Sequence, residues 1–293
     1  MSDGFAATLG GVTAVVLALL SGLAYGVSDY VGGRASRHRS PLVITLTAEV
    51  CLTVVIVIVV PLVEGPFPDD ARVWWGTIGG LGGTLGVLGL YRALSSGSMT
   101  VVAPITGVVA AVLPVGVGLA LGERPGPAVG IGVAIALVAV ALVGGIVGAL
   151  HQPLATGVVM TAIGVGALFG LLFVAFSRTG ETGLWPLLTA RAGSLPLLVA
   201  FYAFARHREL ADPVDRGALV PGLTIGVLIS VANGLYLVST REGLLAVVAV
   251  LVSLYPAATV GLAMAIDHER VTRWQVLGMG LAAVGVALIA GAA

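Results

Sequence analysis

Two charged side chains stand inside long apolar runs of this sequence: Glu49 in Leu46-Thr-Ala-Glu49 and Arg191 in Leu188-Thr-Ala-Arg191. An ionised group at the centre of a membrane helix costs about 2.5–3.5 kcal/mol on insertion scales, so each needs a partner or a task. Each lies eight residues past the start of its run, about 12 Å along a helix axis. If the two runs enter the membrane from opposite faces, their levels differ by only about 6 Å in a ~30 Å core, within reach of an arginine. The chemistry this allows is an intramembrane ion pair, or two poles that bracket a zwitterionic substrate.

Polar aromatic groups form a second set. Tyr25, Tyr91, Asn233, Tyr236 and Tyr255 lie in apolar runs, and a few placed polar groups in an apolar pocket are what a small organic ligand requires. Pro104, Pro114 and Pro256 remove hydrogen bonds to the carbonyls of Thr100, Ala110 and Val252. Ser253, beside the freed Val252 carbonyl, joins the candidate substrate-binding residues. Asp29 and Arg92 fall near span ends and read as gate or interface residues. Glu49 and Asp29 are the carboxylates within spans that proton coupling could use.

Other chemistries find little support. All 14 basic residues other than histidine are Arg, which excludes a lysine Schiff base and the Gly-Lys-Ser/Thr phosphate loop. Cys51 is alone, and the four histidines fall between apolar runs with no two at metal-ligand spacing on one helix. No catalytic residue, metal site or cofactor is expected. A net charge of zero makes no case for nucleic acid.

The elements that must position these residues are membrane helices. Of 293 residues, 58% are hydrophobic and 10% charged, against about 45–50% and about 25% in soluble domains. Ten segments are long and apolar enough to cross: 8–32, 41–63, 73–95, 99–121, 126–149, 154–177, 183–205, 218–238, 243–266 and 272–291. The first lacks a basic leader and reads as retained. Trp74, Trp75, Trp185 and Trp274 sit near segment starts, as interfacial anchors do. Glycines four apart (Gly22 and Gly26, Gly79 and Gly83, Gly82 and Gly86, Gly118 and Gly122, Gly166 and Gly170) allow close helix contact.

The two halves repeat each other. Gly22-Leu-Ala-Tyr25-Gly26 matches Gly166-Ala-Leu-Phe169-Gly170, and Gly89-Leu-Tyr91 matches Gly234-Leu-Tyr236. At one offset of 146 residues, Gly97, Val101, Val102, Ala103, Glu123 and Arg124 meet Gly243, Val247, Val248, Ala249, Glu269 and Arg270. The expected domains are residues 1–150 and 151–293, five spans each. Five is odd, so the second unit enters from the opposite side: an all-α membrane protein with ten transmembrane helices in an inverted 5+5 repeat. Secondary transporters are built in this way.

The run Tyr91-Arg-Ala-Leu-Ser-Ser-Gly97 through Gly122-Glu-Arg124, with its counterpart from Gly243 through Ser253-Leu-Tyr-Pro256 to His268-Glu-Arg270, resembles the EamA-type members of the drug/metabolite transporter superfamily. This sequence departs by His268 where Gly is usual and by Ala110 at the place of Pro256. The resemblance implies a ten-helix bundle whose spans 1, 3, 4, 6, 8 and 9 line a central cavity. It also implies a non-enzymatic secondary carrier that exports or exchanges small organic metabolites such as amino acids, analogues or drugs by alternating access. A membrane-embedded lipid-phosphate enzyme, for which Arg34-Ala-Ser-Arg37-His-Arg39-Ser40 is the candidate loop, and a lipid flippase remain alternatives. The expected setting is a bacterial plasma membrane, with bilayer and small-molecule substrate as partners and the chain a monomer or homodimer. Connectors after odd spans hold nine arginines against four on the other side, which puts both ends of this sequence outside.

Overall fold

The computed structural model describes residues 2–95, 99–151 and 155–292, with side chains over 11–89, 102–151 and 155–292. Among them the chain forms twelve α-helices: α1 (Ser2–Ser36), α2 (Pro41–Val63), α3 (Trp75–Ser95), α4 (Met99–Ala120), α5 (Pro127–Val143), α6 (Ile146–Leu150), α7 (Thr156–Ser177), α8 (Trp185–His207), α9 (Leu219–Glu242), α10 (Leu245–Val252), α11 (Tyr255–Ile266) and α12 (Arg273–Ala290). Eight helices or helix pairs among these are long and apolar enough to cross a membrane, and Pro127–Val143 is a shorter apolar one. With α3 they account for the ten expected spans.

Two spans are interrupted. Gly145, at φ +90, separates α5 from the one-turn α6. The ninth span breaks between α10 and α11, where Leu254 N–H turns back to the Leu251 carbonyl and Pro256 opens the next helix. Proline alone does not decide this, because α4 runs unbroken through Pro104 and Pro114.

Helix contacts follow the repeat. α1 packs on α9, and its counterpart α7 packs on α3; α1 packs on α10 and α11, and α7 packs on α4; α2 packs on α9, and α8 packs on α3. Three pairs join a helix to its own counterpart: α2 with α8, α4 with α10, and α5 with α12. Each of the three runs antiparallel. The end of α2 meets the start of α8 where Glu64 accepts from the Leu184 amide at 2.7 Å. The end of α4 meets the start of α10 through Glu123. In the third pair Gly132 lies against Ile289, and Gly278 against Val143. A two-fold relation that reverses helix direction has its axis in the membrane plane, so the repeat is inverted.

Glycine makes these contacts possible. A Cβ on Gly22 would lie 3.1 Å from the Val252 carbonyl oxygen, and one on Gly166 would lie 2.7 Å from that of Thr106. Thr106 and Val252 are themselves counterparts at the 146-residue offset. Gly80 would bring a Cβ to 2.2 Å from the Ala190 oxygen, and Gly226 to 2.7 Å from that of Ala48. Lipid offers no hydrophobic drive between helices, so close backbone packing must hold them.

Candidate functional site

The connectors after α1, α8 and α11 lie together on one face of the bundle, called distal here; the opposite face is called terminal. Between them, at mid-depth, α1, α7, α9 and α11 bring four sequence-predicted or neighbouring aromatics together. The Tyr25 hydroxyl donates to Asn233 Oδ1 at 2.8 Å. Its ring centroid lies 6.4 Å from those of Phe173 and Tyr255. Phe173 continues to Tyr236 at 5.0 Å, and the Tyr236 hydroxyl donates to the Phe173 carbonyl at 2.9 Å. The register is held by α1 on α11: Gly26 admits the Tyr255 carbonyl, and Thr259 donates to the Gly26 carbonyl at 3.0 Å. Ser253 is buried at the α10–α11 break, its hydroxyl without a protein partner among the described residues.

Glu49 and Arg191 meet where α2 crosses α8. Arg191 Nη1 donates to Glu49 Oε1 at 2.5 Å, and the Ser194 hydroxyl donates to the same oxygen. The side chains are 14% and 9% exposed, so the pair is largely withdrawn from water and lipid. Each charge is neutralised by the other, which is the condition for keeping both inside a bilayer.

Asp29 is the acidic residue of α1 within the span. It sits seven residues before the end of α1, about 10 Å along the axis from that end. The exposed apolar stripe of α1 runs through Val16, Leu20 and Leu23. Asp29 is off that stripe, one turn from Tyr25 on the same side of the helix. It points into the bundle, yet it is exposed. Asp29 therefore lies on the bundle-facing side of α1, near its distal end.

On the terminal face, hydrogen bonds join helix ends of the two repeats. Glu123 accepts from the Leu245 and Ala246 amides at 2.6 and 2.9 Å. Glu64 accepts from Leu184, Arg241 donates to the Gly183 carbonyl, and Ser239 donates to the Ala14 carbonyl at 2.7 Å. Gly183 has φ +57, and a Cβ there would lie 2.2 Å from a Glu64 oxygen, so this junction needs glycine twice over. Outside the spans on this face, hydrogen bonds from the Arg72 guanidinium and amide hold the Asp70 carboxyl below its usual range. The distal face carries exposed ion pairs instead: Arg34 with Asp267, Arg37 with Glu269, and Arg39 with Asp215.

Of the residues singled out by sequence, Tyr25, Asn233, Tyr236 and Tyr255 converge, Glu49 and Arg191 pair, and Ser253 lies two positions before Tyr255. The Tyr91 and Arg92 side chains lie outside the described residues. Sequence reading missed Phe173, which joins Tyr25 to Tyr236; it is the repeat counterpart of Asp29, and that alignment was the available signal. It also missed Ser194 and the docking of Glu123, which depend on contacts across the repeat. Among the described residues no three His, Cys, Asp or Glu gather as metal ligands.

The sequence profile of the EamA-like transporter family matches residues 12–145 and 156–291. No curated protein matches the chain. Among solved structures 23 chains match. One, a crystal structure of a protein 18% identical in sequence, superposes with a TM-score of 0.69 over 97% of this chain and 96% of its own. At that identity the likeness shows a shared fold.

Proposed function

This chain belongs to the EamA-like transporter family, and from that premise we propose that it is a secondary carrier which exports or exchanges small organic metabolites by alternating access. It is a multi-pass membrane protein of the drug/metabolite transporter superfamily. The substrate class we infer comprises amino acids, their analogues and drugs of similar size. One observation carries the reading: Tyr25, Asn233, Phe173, Tyr236 and Tyr255 converge between helices of the two repeats, with Asp29 one turn from Tyr25. A pocket bounded by these aromatic and amide groups would suit an organic solute. The Glu49–Arg191 pair supplies poles that a zwitterion could engage. We place the chain in a bacterial plasma membrane, with the arginine-rich distal face in the cytoplasm.

Counterflow in proteoliposomes, screened across metabolite classes, tests this. Exchange of at least one class is expected, with Tyr25→Phe and Asn233→Ala raising the half-saturating concentration for that class. Absence of exchange for every class in folded protein ends the proposal. The lipid-flippase alternative routes substrate through a lateral opening. The groove of about 260 Å³ between α1, α10, α11 and α12 does face lipid, but Leu19, Leu23, Leu254, Ala257 and Val286 line it and nothing there would receive a headgroup. The loop favoured by the enzyme alternative has Arg34, Arg37 and Arg39 engaged with acids of neighbouring connectors.

A further inference from the structure

The α1–α2 and α8–α9 connectors enclose a cavity of about 280 Å³ on the distal face, walled by His38, Arg39, Ser40, Asp212 and Asp215 with the buried Val43. That volume lies near the lower end of small-molecule sites, ~300–1,000 Å³. Val43 belongs to a small apolar core in which Ile44, Ala48, Ala218 and Ile225 join α2 to α9. The cavity therefore rests on packed helices.

Its walls are held from several sides. The Tyr202 hydroxyl donates to the Asp212 carbonyl at 2.9 Å, and Arg206 donates to the Ala211 carbonyl at 2.7 Å, which ties the connector back to α8. Asp215 accepts from the Ala218 amide at 2.7 Å and faces the Arg39 Nε–H at 3.3 Å. Gly217 keeps room for that arginine, because a Cβ there would collide with its guanidinium. Two groups are left over. Among the described residues, neither the Asp212 carboxylate nor the His38 ring has a hydrogen-bond or ion-pair partner. The Ser40 hydroxyl makes no cap hydrogen bond, although it directly precedes α2.

These groups are divided by sign. His38, Arg39 and Ser40 stand at the start of the 23-residue α2, where the helix dipole favours a phosphate. Asp212 stands on the other connector. One arginine set against two carboxylates gives little net attraction to a plain anion, whereas a ligand that carries both phosphate and ammonium answers each wall.

Depth identifies the source of such a ligand. The adjoining helices end at Ser36 and His207 and begin at Pro41 and Leu219. The cavity thus sits just beyond the hydrocarbon, within the roughly 5–7 Å of headgroup that each leaflet adds. Leu210 and Val214, in the same connector, are 77% and 45% exposed, an arrangement that favours lipid over water. Val220, Leu223 and Val227 continue as an exposed apolar stripe along the start of α9, a surface for acyl chains.

We propose that this cavity holds the headgroup of a phospholipid that bears a primary ammonium, phosphatidylethanolamine in kind, with His38, Arg39 and Ser40 on its phosphate and Asp212 on its ammonium. Phosphatidylcholine offers Asp212 no N–H, and phosphatidylglycerol offers it no cation. The site lies apart from the aromatic cluster and does not rest on the carrier reading.

The full chain in detergent is incubated with equal amounts of phosphatidylethanolamine, phosphatidylcholine and phosphatidylglycerol of matched acyl chains, and the retained lipid is counted by mass spectrometry. The parent should retain phosphatidylethanolamine over phosphatidylcholine by about two- to fivefold, the size of one exposed ion pair. Asp212→Asn, at an exposed position, should bring that ratio to about one. His38→Ala should lower retention of both lipids and leave their ratio. Soluble glycerophosphoethanolamine at the same concentration should displace neither. Equal retention of the two lipids by the parent overturns the proposal without recourse to any variant. So does a preference that survives Asp212→Asn, phosphatidylglycerol retained above phosphatidylethanolamine, or displacement by the soluble headgroup, which would make the occupant a solute.

Discussion

The Glu49–Arg191 pair shows how far single residues can be read. Their matching places in the two halves led to a level difference small enough to bridge, and the structure brings them to 2.5 Å. Ser194, which completes the coordination of Glu49, had no such signal, because a serine in an apolar run fits many roles. The pair makes a thermodynamic prediction. Removing one member leaves a buried charge unpaired, a loss of about 3–5 kcal/mol, whereas removing both by apolar or neutral isosteres is close to neutral. Arg191→Met is therefore expected to melt well below the parent in detergent, and Glu49→Gln with Arg191→Met to recover most of the loss. A double variant no more stable than the worse single would show that the two charges are not coupled. Transport separates structure from function: if the stable double variant exchanges substrate at the parent rate, the pair holds helices and does not meet the solute.

At the level of elements, helix contacts depend on absent side chains. Gly80 faces the Ala190 carbonyl with no room for a methyl group, while Gly164 on the exposed side of α7 has open space around it. Gly80→Ala should lower stability by about 1–3 kcal/mol through overpacking against backbone. Gly164→Ala should raise it by up to about 1 kcal/mol through helix propensity. Thermal melts of the two variants decide whether these glycines act by contact; equal shifts would argue against it. The spacing of four picked out Gly22, Gly26 and Gly166 but not Gly80 or Gly226, and it also paired Gly118 with Gly122, which act differently. Gly118 packs on α10, whereas Gly122 has φ +99 and ends α4. His268, at φ +53, holds the corresponding left-handed position after α11, a conformation that a non-glycine residue adopts at a cost. The break of the ninth span was only half legible, because proline marks where a helix can open and tertiary contacts select which proline does so.

For the whole molecule, an even number of spans returns the chain to the face from which it entered. The connectors after α1, α8 and α11 hold Arg34, Arg37, Arg39, Arg206 (at the end of α8), Arg208, Arg216, Arg270 and Arg273 (at the start of α12). The proposal made above puts this face in the cytoplasm, on the positive-inside rule. A reporter fused after Ala293 should then be active outside and one inserted near Arg208 active inside. The reverse pattern would put the arginine-rich face outside without altering the fold. Charge bias settles slowly where acids accompany the arginines, and here Asp267, Glu269 and Asp215 are already bound to three of them.

Hydropathy, glycine spacing and the internal repeat determined the solvent, the ten spans and the reversal of the second half. These follow from local requirements: a helix must bury its backbone polar groups within lipid, and an odd number of crossings must change sides. Which carboxylate reaches which helix end, and that Phe173 bridges two tyrosines, were decided by the tertiary structure alone. Such facts arise where helices far apart in the chain come within a few ångströms, and near-symmetric repeats leave two arrangements so close in energy that only the packed molecule selects between them.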